Sequence, residues 1–269
     1  MSTPTPDTRN TTIALRAHAK LTLELRITGV RDDGYHLIDA EMVSLDLHDL
    51  VTLTPAASGL TASGPFSDGM PLDESNLVAR ALRLVGADVG VHLDKRIPHG
   101  GGLGGGSTDA AAVLRWGGFT DDPHDLDRAA QLGADIAFCL VGGCARVRGI
   151  GEIVEPRPHV ERVVTLVIPP LTVSTPAVYR EWDDLGGPTV DGPNDLEPAA
   201  LVVEPELARW RDLIGDRTGV APVLAGSGAT WFTVGDRANA LGDLLDEGAR
   251  VVLARTVPME MATGPVDAP

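Results

Sequence analysis

Residues 98–114 read Pro98-His99-Gly100-Gly101-Gly102-Leu103-Gly104-Gly105-Gly106-Ser107-Thr108-Asp109-Ala110-Ala111-Ala112-Val113-Leu114. Six of the seven residues from Gly100 to Gly106 are glycine, and good helix formers follow at once. Glycine lets a backbone approach a ligand closely, and the first N–H groups of a helix have no partner within it. Free amides and the positive end of a helix dipole together attract phosphate. The stretch therefore predicts a phosphate-binding loop and a helix capped by Ser107, Thr108 or Asp109.

Two common classes of glycine-rich phosphate loop do not fit this stretch. No Gly-Lys-Ser/Thr ends it, so it is not a Walker A sequence, and no early βαβ unit with a ribose-binding acid surrounds it, as a dinucleotide site would require. A flexible linker is the remaining alternative, but linkers rarely run directly into an apolar helix. Phosphate binding is the favoured interpretation.

The composition is that of a soluble globular protein, with 269 residues, 43% of them hydrophobic and 22% charged. The formal charge of −16 disfavours non-specific binding to nucleic acid or to an anionic membrane. Cys139 and Cys144 lack the spacing of a zinc site, and the polar segment Met1–Thr12 has no signal-peptide core. No apolar run reaches membrane-spanning length. These features predict a reduced, cytoplasmic protein.

The pattern along the chain predicts an α+β fold with two lobes. Apolar and polar residues alternate from Thr12 to Thr28, which indicates a strand, and the stretch Met42–Thr54 predicts a strand pair that turns at Asp46–Asp49. A helix is predicted at Ser75–Val85, capped by Asp73 or Ser75. Further helices are expected at 107–116, 122–132, 194–202, 205–214 and 237–247 and after residue 174, and strands at 89–96, 163–168, 223–225, 230–234 and 250–258. A change of composition near residues 146–159 predicts an ATP-binding lobe at 1–155 and a second lobe at 156–269 that contributes to the substrate site.

Several short segments, spread in order over about residues 14 to 234, carry a resemblance to a known family. They read A-K-L-T-L-E-L, D-G-Y-H-L, K-R-I-P-H-G-G-G-L-G-G-G-S-T-D-A-A, L-G-A-D-I-A-F, G-I-G-E-I-V, S-T-P-A-V-Y, N-D-L-E-P and A-G-S-G-A-T. The chain resembles the small-molecule kinases that include galactokinase, homoserine kinase and mevalonate kinase. Among these it is most similar to the 4-diphosphocytidyl-2-C-methyl-D-erythritol kinases.

The resemblance implies a two-lobed kinase fold and an ATP-dependent reaction. The expected acceptor is the 2-hydroxyl of a small cytidine diphosphate-linked substrate, 4-diphosphocytidyl-2-C-methyl-D-erythritol, in the non-mevalonate isoprenoid pathway. ATP is expected to carry Mg²⁺, for which the sequence names no protein ligand. The family usually has asparagine where this chain has Thr22, and the segment before Asp135 is shorter than usual. Two alternatives stay open at this point: a related kinase for another small alcohol, and a catalytically silent nucleotide-binding paralogue.

The resemblance also implies roles for individual residues. Lys20 and Asp135 are the expected catalytic pair, although in isolation they also read as an exposed strand residue and a helix cap. Tyr35 and Tyr179, the only tyrosines, are expected to stack on the cytosine while His36 reads its edge; otherwise they would be packing residues. The remaining substrate-binding predictions are Thr22, Thr175, Gly226, Ser227 and Gly228. The ATP-binding predictions are Asn76, Lys95, Pro98, His99, Gly100, Gly101, Gly102, Leu103, Gly104, Gly105, Gly106, Ser107 and Thr108.

Overall fold

A computed structural model describes residues 11–98 and 100–263. His99, one of the ATP-binding predictions, and the first ten residues of the polar segment lie outside the described residues. Two antiparallel-rich sheets and eight α-helices form the described part, which confirms the α+β class. Within these ranges no helix is long and apolar enough to cross a membrane.

The first sheet is built around a long hairpin of β1 (Ile13–Val30) and β2 (His36–Thr54). The alternating pattern that predicted a strand over Thr12–Thr28 is therefore confirmed. Four shorter strands complete the sheet: β3 (Leu60–Ser63), β4 (Gly90–Asp94), β5 (Cys144–Gly149) and β6 (Ile153–Pro156). The strand order is β3-β4-β2-β5-β6, with β1 paired to β2. Only the pairing of β3 with β4 is parallel in this sheet.

The predicted turn at Asp46–Asp49 is wrong, because β2 runs through it without a break. β5 pairs with the first half of β2 and β4 pairs with the second half, so residues 46–49 lie where β2 changes partner. The two aspartates accept backbone N–H groups of other segments there: Asp46 from Arg255 at 2.8 Å, and Asp49 from Arg96 and Ile97. Asp46 and Asp49 resemble turn residues in the sequence, but they lie within a continuous strand and accept hydrogen bonds from neighbouring segments.

Four helices cover the first sheet: α1 (Leu77–Val85), α2 (Gly105–Trp116), α3 (Pro123–Leu132) and α4 (Ala134–Val141). The core between them and the sheet contains most of α2 and α4, from Ala110 to Leu114 and from Ile136 to Val141. The predicted N-cap of α1, Asp73 or Ser75, is wrong. Asn76 caps this helix instead, because its side chain accepts the Val78 N–H at 2.8 Å.

The second sheet has the order β10-β7-β9-β8 and begins with β7 (Val163–Ile168). Its other strands are β8 (Val223–Leu224), β9 (Trp231–Val234) and β10 (Arg250–Arg255). The remaining helices are α5 (Thr175–Asp184), α6 (Glu197–Val203), α7 (Glu206–Thr218), a 3₁₀ helix at Ala238–Leu245, and α8 (Met259–Thr263). Trp182, Trp210 and Trp231 lie in the core of this half.

A third cluster of buried side chains joins the two sheets. It brings together Leu21 of β1, Leu103 of the glycine loop and Leu166 of β7, all at most 1% exposed. The glycine loop is therefore packed between the sheets instead of lying on one of them. The boundary between lobes at residues 155 and 156 stays a prediction.

Candidate active site

Lys20 and Asp135, far apart in the sequence, meet between the two sheets. Lys20 lies near the middle of β1 and is almost fully buried, and Asp135 is the second residue of α4 with its side chain about one-third exposed. Their charged groups are 3.3 Å apart, and Lys20 Nζ also donates a hydrogen bond to Thr22 Oγ1 at 3.1 Å. The ammonium has three protons, so one of them is left for a further acceptor. The pair is geometrically able to act on a molecule bound beside it.

The helix after the glycine loop begins two residues earlier than predicted. Gly104, with a φ of 69°, occupies its N-cap position, and no side chain caps the helix. The predicted caps Ser107, Thr108 and Asp109 lie inside α2, because glycine tolerates the left-handed conformation that starts it. Without a side-chain acceptor, the first amides of α2 stay available to a ligand.

The glycine loop is in backbone contact with a second glycine turn, Gly226-Ser227-Gly228. A Cβ on Gly228 would lie 2.5 Å from both Cα and N of Gly102, and one on Gly102 would lie 2.9 Å from the carbonyl oxygen of Ala225. The Thr230 N–H also donates to the Gly101 carbonyl at 3.3 Å. Such distances leave no room for side chains, so glycine at 102 and 228 is required by the contact between the two turns as well as by any ligand.

The second glycine turn is held from behind by Asn194. Its buried side-chain amide donates to the carbonyls of Leu224 and Gly226, at 3.0 and 2.7 Å, and its oxygen accepts the Leu196 N–H. From the front, Ser227 Oγ and Thr175 Oγ lie 2.9 Å apart, which links the turn to the start of α5. The prediction of a helix starting at Asn194 is corrected, since α6 begins at Glu197.

A cleft of about 550 Å³ opens beside the Lys20–Asp135 pair. At the end of the cleft next to this pair, the wall contains parts of both glycine turns. At the opposite end, called the far end below, it contains aromatic and imidazole side chains. The lining includes these predicted residues: Lys20, Thr22, Tyr35, His36, Gly102, Ser107, Asp135, Thr175, Tyr179, Gly226 and Ser227. The structure thus brings the predicted catalytic residues and most predicted substrate residues into one cavity.

The far end of the cleft is organised around His36, the first residue of β2. Its ring centroid lies 4.8 Å from that of Tyr179 and 5.5 Å from that of Trp182, and its Nε2 donates to Asp183 Oδ1 at 2.8 Å. The ring is therefore fixed on one side by a carboxylate and on another by aromatic edges. Tyr35, by contrast, is 58% exposed, with the guanidinium of Arg31 5.8 Å from its ring centroid.

Sequence reasoning missed three residues of α5 that belong to this end of the cleft. Trp182 and Asp183 fix His36, and Arg180 lines the cleft and is exposed. The helical spacing after Tyr179 would have placed Asp183 one turn further on the same face. Burial raises the pKa of Tyr179, and the nearby charge of Asp135 adds to the effect, so its phenol stays neutral at physiological pH.

A second hollow of about 210 Å³ lies on the other side of α2. Four ATP-binding predictions line it, namely Asn76, Lys95, Gly105 and Gly106, together with Phe66. Lys95 is 3% exposed and its ammonium already contacts Asp49 and Asp109. The apolar side chains of Phe66, Met70, Leu77 and Ile97 also line the hollow.

Two other ATP-binding predictions have their polar groups engaged elsewhere. Thr108 is buried, its N–H donates to the Gly104 carbonyl at 2.8 Å, and its hydroxyl bonds to the sulfur of Cys139. A direct phosphate contact by Thr108 is therefore not supported by this geometry. Pro98 is also buried and lies between Arg96 and β10. Both residues are buried and support the backbone of the loop.

The described residues hold no group of three or more His, Cys, Asp or Glu side chains that would ligate a metal ion. Mg²⁺ commonly binds through one or two carboxylates and the phosphates of a nucleotide, and does not need a complete protein cage. The residues present fit a Mg²⁺ ion carried by the nucleotide better than one held by the protein alone.

Comparisons with known proteins identify the family. Residues 76–144, which span α1 to the start of β5, match the family described as GHMP kinases N terminal domain. The 4-diphosphocytidyl-2-C-methyl-D-erythritol kinase of Paracoccus denitrificans (strain Pd 1222) is 38% identical over 235 residues, which cover 80% of this chain and 84% of that protein.

Solved structures give the same result. The crystal structure of a 4-(cytidine 5'-diphospho)-2C-methyl-D-erythritol kinase superposes with a TM-score of 0.71 at 31% identity, covering 91% of this chain and 99% of that one. Homoserine kinase from Cytophaga hutchinsonii shares the fold, with a TM-score of 0.61 at 16% identity over 99% of this chain and 100% of that one. Since the identity to the curated relative extends over most of both chains, this chain belongs to the family of 4-diphosphocytidyl-2-C-methyl-D-erythritol kinases.

Proposed function

We propose that this kinase transfers the γ-phosphoryl group of ATP to the 2-hydroxyl of 4-diphosphocytidyl-2-C-methyl-D-erythritol in the non-mevalonate isoprenoid pathway. The observation that carries the proposal is the Lys20–Asp135 pair, placed where the glycine loop meets a cleft whose far end contains the rings of His36 and Tyr179. ATP enters with Mg²⁺ bound to its phosphates. We also propose a cytoplasmic location, where both substrates would be available.

In this proposal, Asp135 accepts the proton of the substrate hydroxyl as its oxygen attacks the γ-phosphorus. The carboxylate lies 3.3 Å from Lys20 Nζ, and this ion pair orients it toward the cleft. The bond between the γ-phosphorus and the bridging oxygen of ATP breaks, and ADP leaves with that oxygen. The remaining proton of Lys20 is directed at the transferred phosphoryl group, whose negative charge it stabilises. Thr22 holds the ammonium in place by its hydrogen bond.

The cytidine end of the substrate would lie at the far end of the cleft. We propose that the base stacks between the exposed ring of Tyr35 and the ring of Tyr179, and that His36 contacts its polar edge. Asp183 fixes the orientation of His36, so that its other nitrogen faces the base. A base in this position leaves its diphosphate between Arg180 and the second glycine turn.

The nucleotide would lie on the other side of the loop. The amides from Gly101 to Ser107 would hold the phosphates at the start of α2, where the helix dipole favours negative charge. The adenine would occupy the smaller hollow beside Asn76 and Lys95. Backbone amides serve well in a chain with a charge of −16, since they attract phosphate without requiring many basic side chains.

The test compares Asp135→Asn and Lys20→Ala with a matched control, Asp127→Asn. Asp127 lies on the exposed face of α3, where its carboxylate bonds only to Gln131. Release of ADP that depends on the cytidine substrate should fall about 10²- to 10⁴-fold in the first two variants and stay unchanged in the control. Calorimetry should show that all three still bind the non-hydrolysable analogue adenylyl imidodiphosphate. Near-normal turnover in Asp135→Asn would overturn the assigned role.

A further inference from the structure

Three buried charged side chains lie under the glycine loop and take no part in the proposed chemistry. Asp49 of β2, Lys95 after β4 and Asp109 of α2 are 0%, 3% and 1% exposed. The Lys95 ammonium contacts one carboxylate oxygen of each aspartate. Two carboxylates on one ammonium leave one negative charge in excess when all three are ionised, and such an excess is costly in a buried place.

Asp49 is connected to the segments before and after the glycine loop. Its Oδ1 accepts the N–H groups of Arg96 and Ile97, the latter at 2.8 Å, which are the last residues before Pro98. Its Oδ2 accepts from Lys95, which in turn reaches Asp109 in the second turn of the helix that follows the loop. One carboxylate of the sheet therefore fixes the chain on entry to the loop directly and on exit through a lysine.

The cluster also lies close to the place where the phosphates are expected. A Cβ on Gly105, the first residue of α2, would be 3.5 Å from Lys95 Nζ. The charge state of the cluster thus acts on the same helix turn that offers its amides to the nucleotide. Lys95 and Asp109 also line the adjoining hollow.

We propose that Asp49 is a positioning residue for the nucleotide: its carboxylate, with Lys95 and Asp109, holds the two ends of the glycine loop at the spacing that binds ATP. The inference rests on the proposed ATP site and assigns Asp49 no contact with substrate. It also predicts that the cluster exchanges a proton when the nucleotide binds.

The proton belongs to Asp109, whose second carboxylate oxygen is buried without a hydrogen-bond partner among the described residues. Burial, opposed by the charge of Lys95 and reinforced by that of Asp49, raises the pKa of Asp109 to about 7. These two are the charged groups that face Asp109 from the neighbouring elements. Burial alone would lower the pKa of Lys95, but the two carboxylates raise it overall, so the lysine stays charged.

The sign of the pH effect follows from the charge. Below a pH of about 7 Asp109 is protonated and the cluster is neutral, whereas above it the cluster carries one negative charge beside the phosphates. Nucleotide affinity should therefore be highest at the lower pH and fall as Asp109 ionises. If the bound nucleotide raises the pKa of Asp109 by about one unit, the dissociation constant rises about tenfold across the titration.

The experiment measures binding of adenylyl imidodiphosphate with Mg²⁺ by calorimetry between about pH 6 and about pH 8.5. For the wild type we expect the dissociation constant to rise about tenfold as the pH increases. For Asp109→Asn, which mimics the neutral state, we expect that rise to disappear. Protonation of the analogue itself contributes equally to every variant and cancels in the comparison. Buffers of different ionisation enthalpy should reveal, beyond the proton exchange of the analogue that all variants share, an additional proton uptake in the wild type that Asp109→Asn lacks.

Asp49→Asn tests the positioning role directly. Its amide oxygen can still accept from Arg96 and Ile97, but its NH₂ group would face the Lys95 ammonium and break that link. We expect nucleotide affinity to fall about tenfold while the KM for the cytidine substrate stays within about twofold. The control is Asp195→Asn, a fully buried carboxylate that accepts the N–H groups of Ile27 and Val190 and pairs with Arg26, none of which belongs to the glycine loop.

Four results would decide the matter. A folded Asp49→Asn that binds the analogue as the wild type does would overturn the positioning role, as would an equal loss of affinity in Asp195→Asn. If Asp49→Asn does not fold, Asp109→Asn decides alone, and an unchanged pH dependence in it overturns the inference. A wild type that binds the analogue but shows no turnover with the cytidine substrate would contradict the proposed function and leave this inference standing.

Discussion

The contact between the two glycine turns makes Gly228→Ala the most informative single substitution. Gly228 does not have a left-handed backbone, so alanine brings no conformational strain of its own. The added Cβ would lie 2.5 Å from two backbone atoms of Gly102 and 2.6 Å from the carbonyl carbon of Gly101. Backbone atoms cannot rotate away as a side chain does, so the two turns must move apart.

The size of the effect follows from the cost of inserting a methyl group into a packed interior, about 1–3 kcal/mol. If the strain is released by separating the turns, the fraction of molecules with a closed site falls about 5- to 150-fold, because each 1.4 kcal/mol corresponds to about tenfold. We expect kcat/KM to fall within that range for ATP and for the cytidine substrate alike, since both lie against these turns. The Tm should fall by about 2–12 °C.

The matched control is Gly242→Ala in the 3₁₀ helix. Gly242 has an ordinary φ, and a Cβ there would meet nothing within 4 Å. We expect unchanged kinetics and a Tm equal to or slightly above that of the wild type, because alanine reduces the entropy of the unfolded chain. Wild-type kinetics and Tm in Gly228→Ala would refute the claim that the two turns meet backbone to backbone.

Three further predictions test other parts of the site. Tyr179→Ala should raise the KM for the cytidine substrate about 5- to 150-fold and leave that for ATP unchanged, because a stacked base gains about 1–3 kcal/mol; equal effects on both would contradict the stacking. Asn194→Ala should lower kcat/KM about tenfold, since the Gly226 carbonyl would lose its buried donor, and unchanged steady-state kinetics would argue against that support. Cys139, whose pKa burial raises to about 12, should stay unlabelled by iodoacetamide in the folded protein while half-buried Cys144 reacts slowly; mass spectrometry of labelled peptides reads out both.

The fold was predictable where a local pattern and the final structure agree. The alternation over Thr12–Thr28 became β1, and the apolar run at residues 163–168 became β7 with the same limits. Sequence reasoning failed where a distant partner determines the local structure. Asp46 and Asp49 resemble turn residues, but their carboxylates accept amides from segments that lie about 50 to 200 residues away in the chain.

Sequence motifs predicted the site residues that belong to them, but not the residues that support those motifs. Lys20 and Asp135 were expected as a pair and lie 3.3 Å apart, although their catalytic role stays a prediction. Asn194 was expected at the start of a helix, yet its side chain donates a hydrogen bond to the Gly226 carbonyl and supports that turn. Asp183 was missed, because a carboxylate that orients a histidine has no motif of its own and is visible only from the geometry.

The only two lysines of the chain, Lys20 and Lys95, both lie beside the glycines at the start of α2. A Cβ on Gly104 would lie 2.7 Å from Cγ of Lys20, and one on Gly105 would lie 3.5 Å from Nζ of Lys95. The two lysines thus pack against consecutive residues at the start of α2, and each ammonium is paired with carboxylates. The alkyl chain of Lys20 fits against the bare backbone at Gly104, where a Cβ would clash with it. Glycine at 104 is therefore required on the packed side of the loop by Lys20, and we propose that the open side of the same loop binds phosphate.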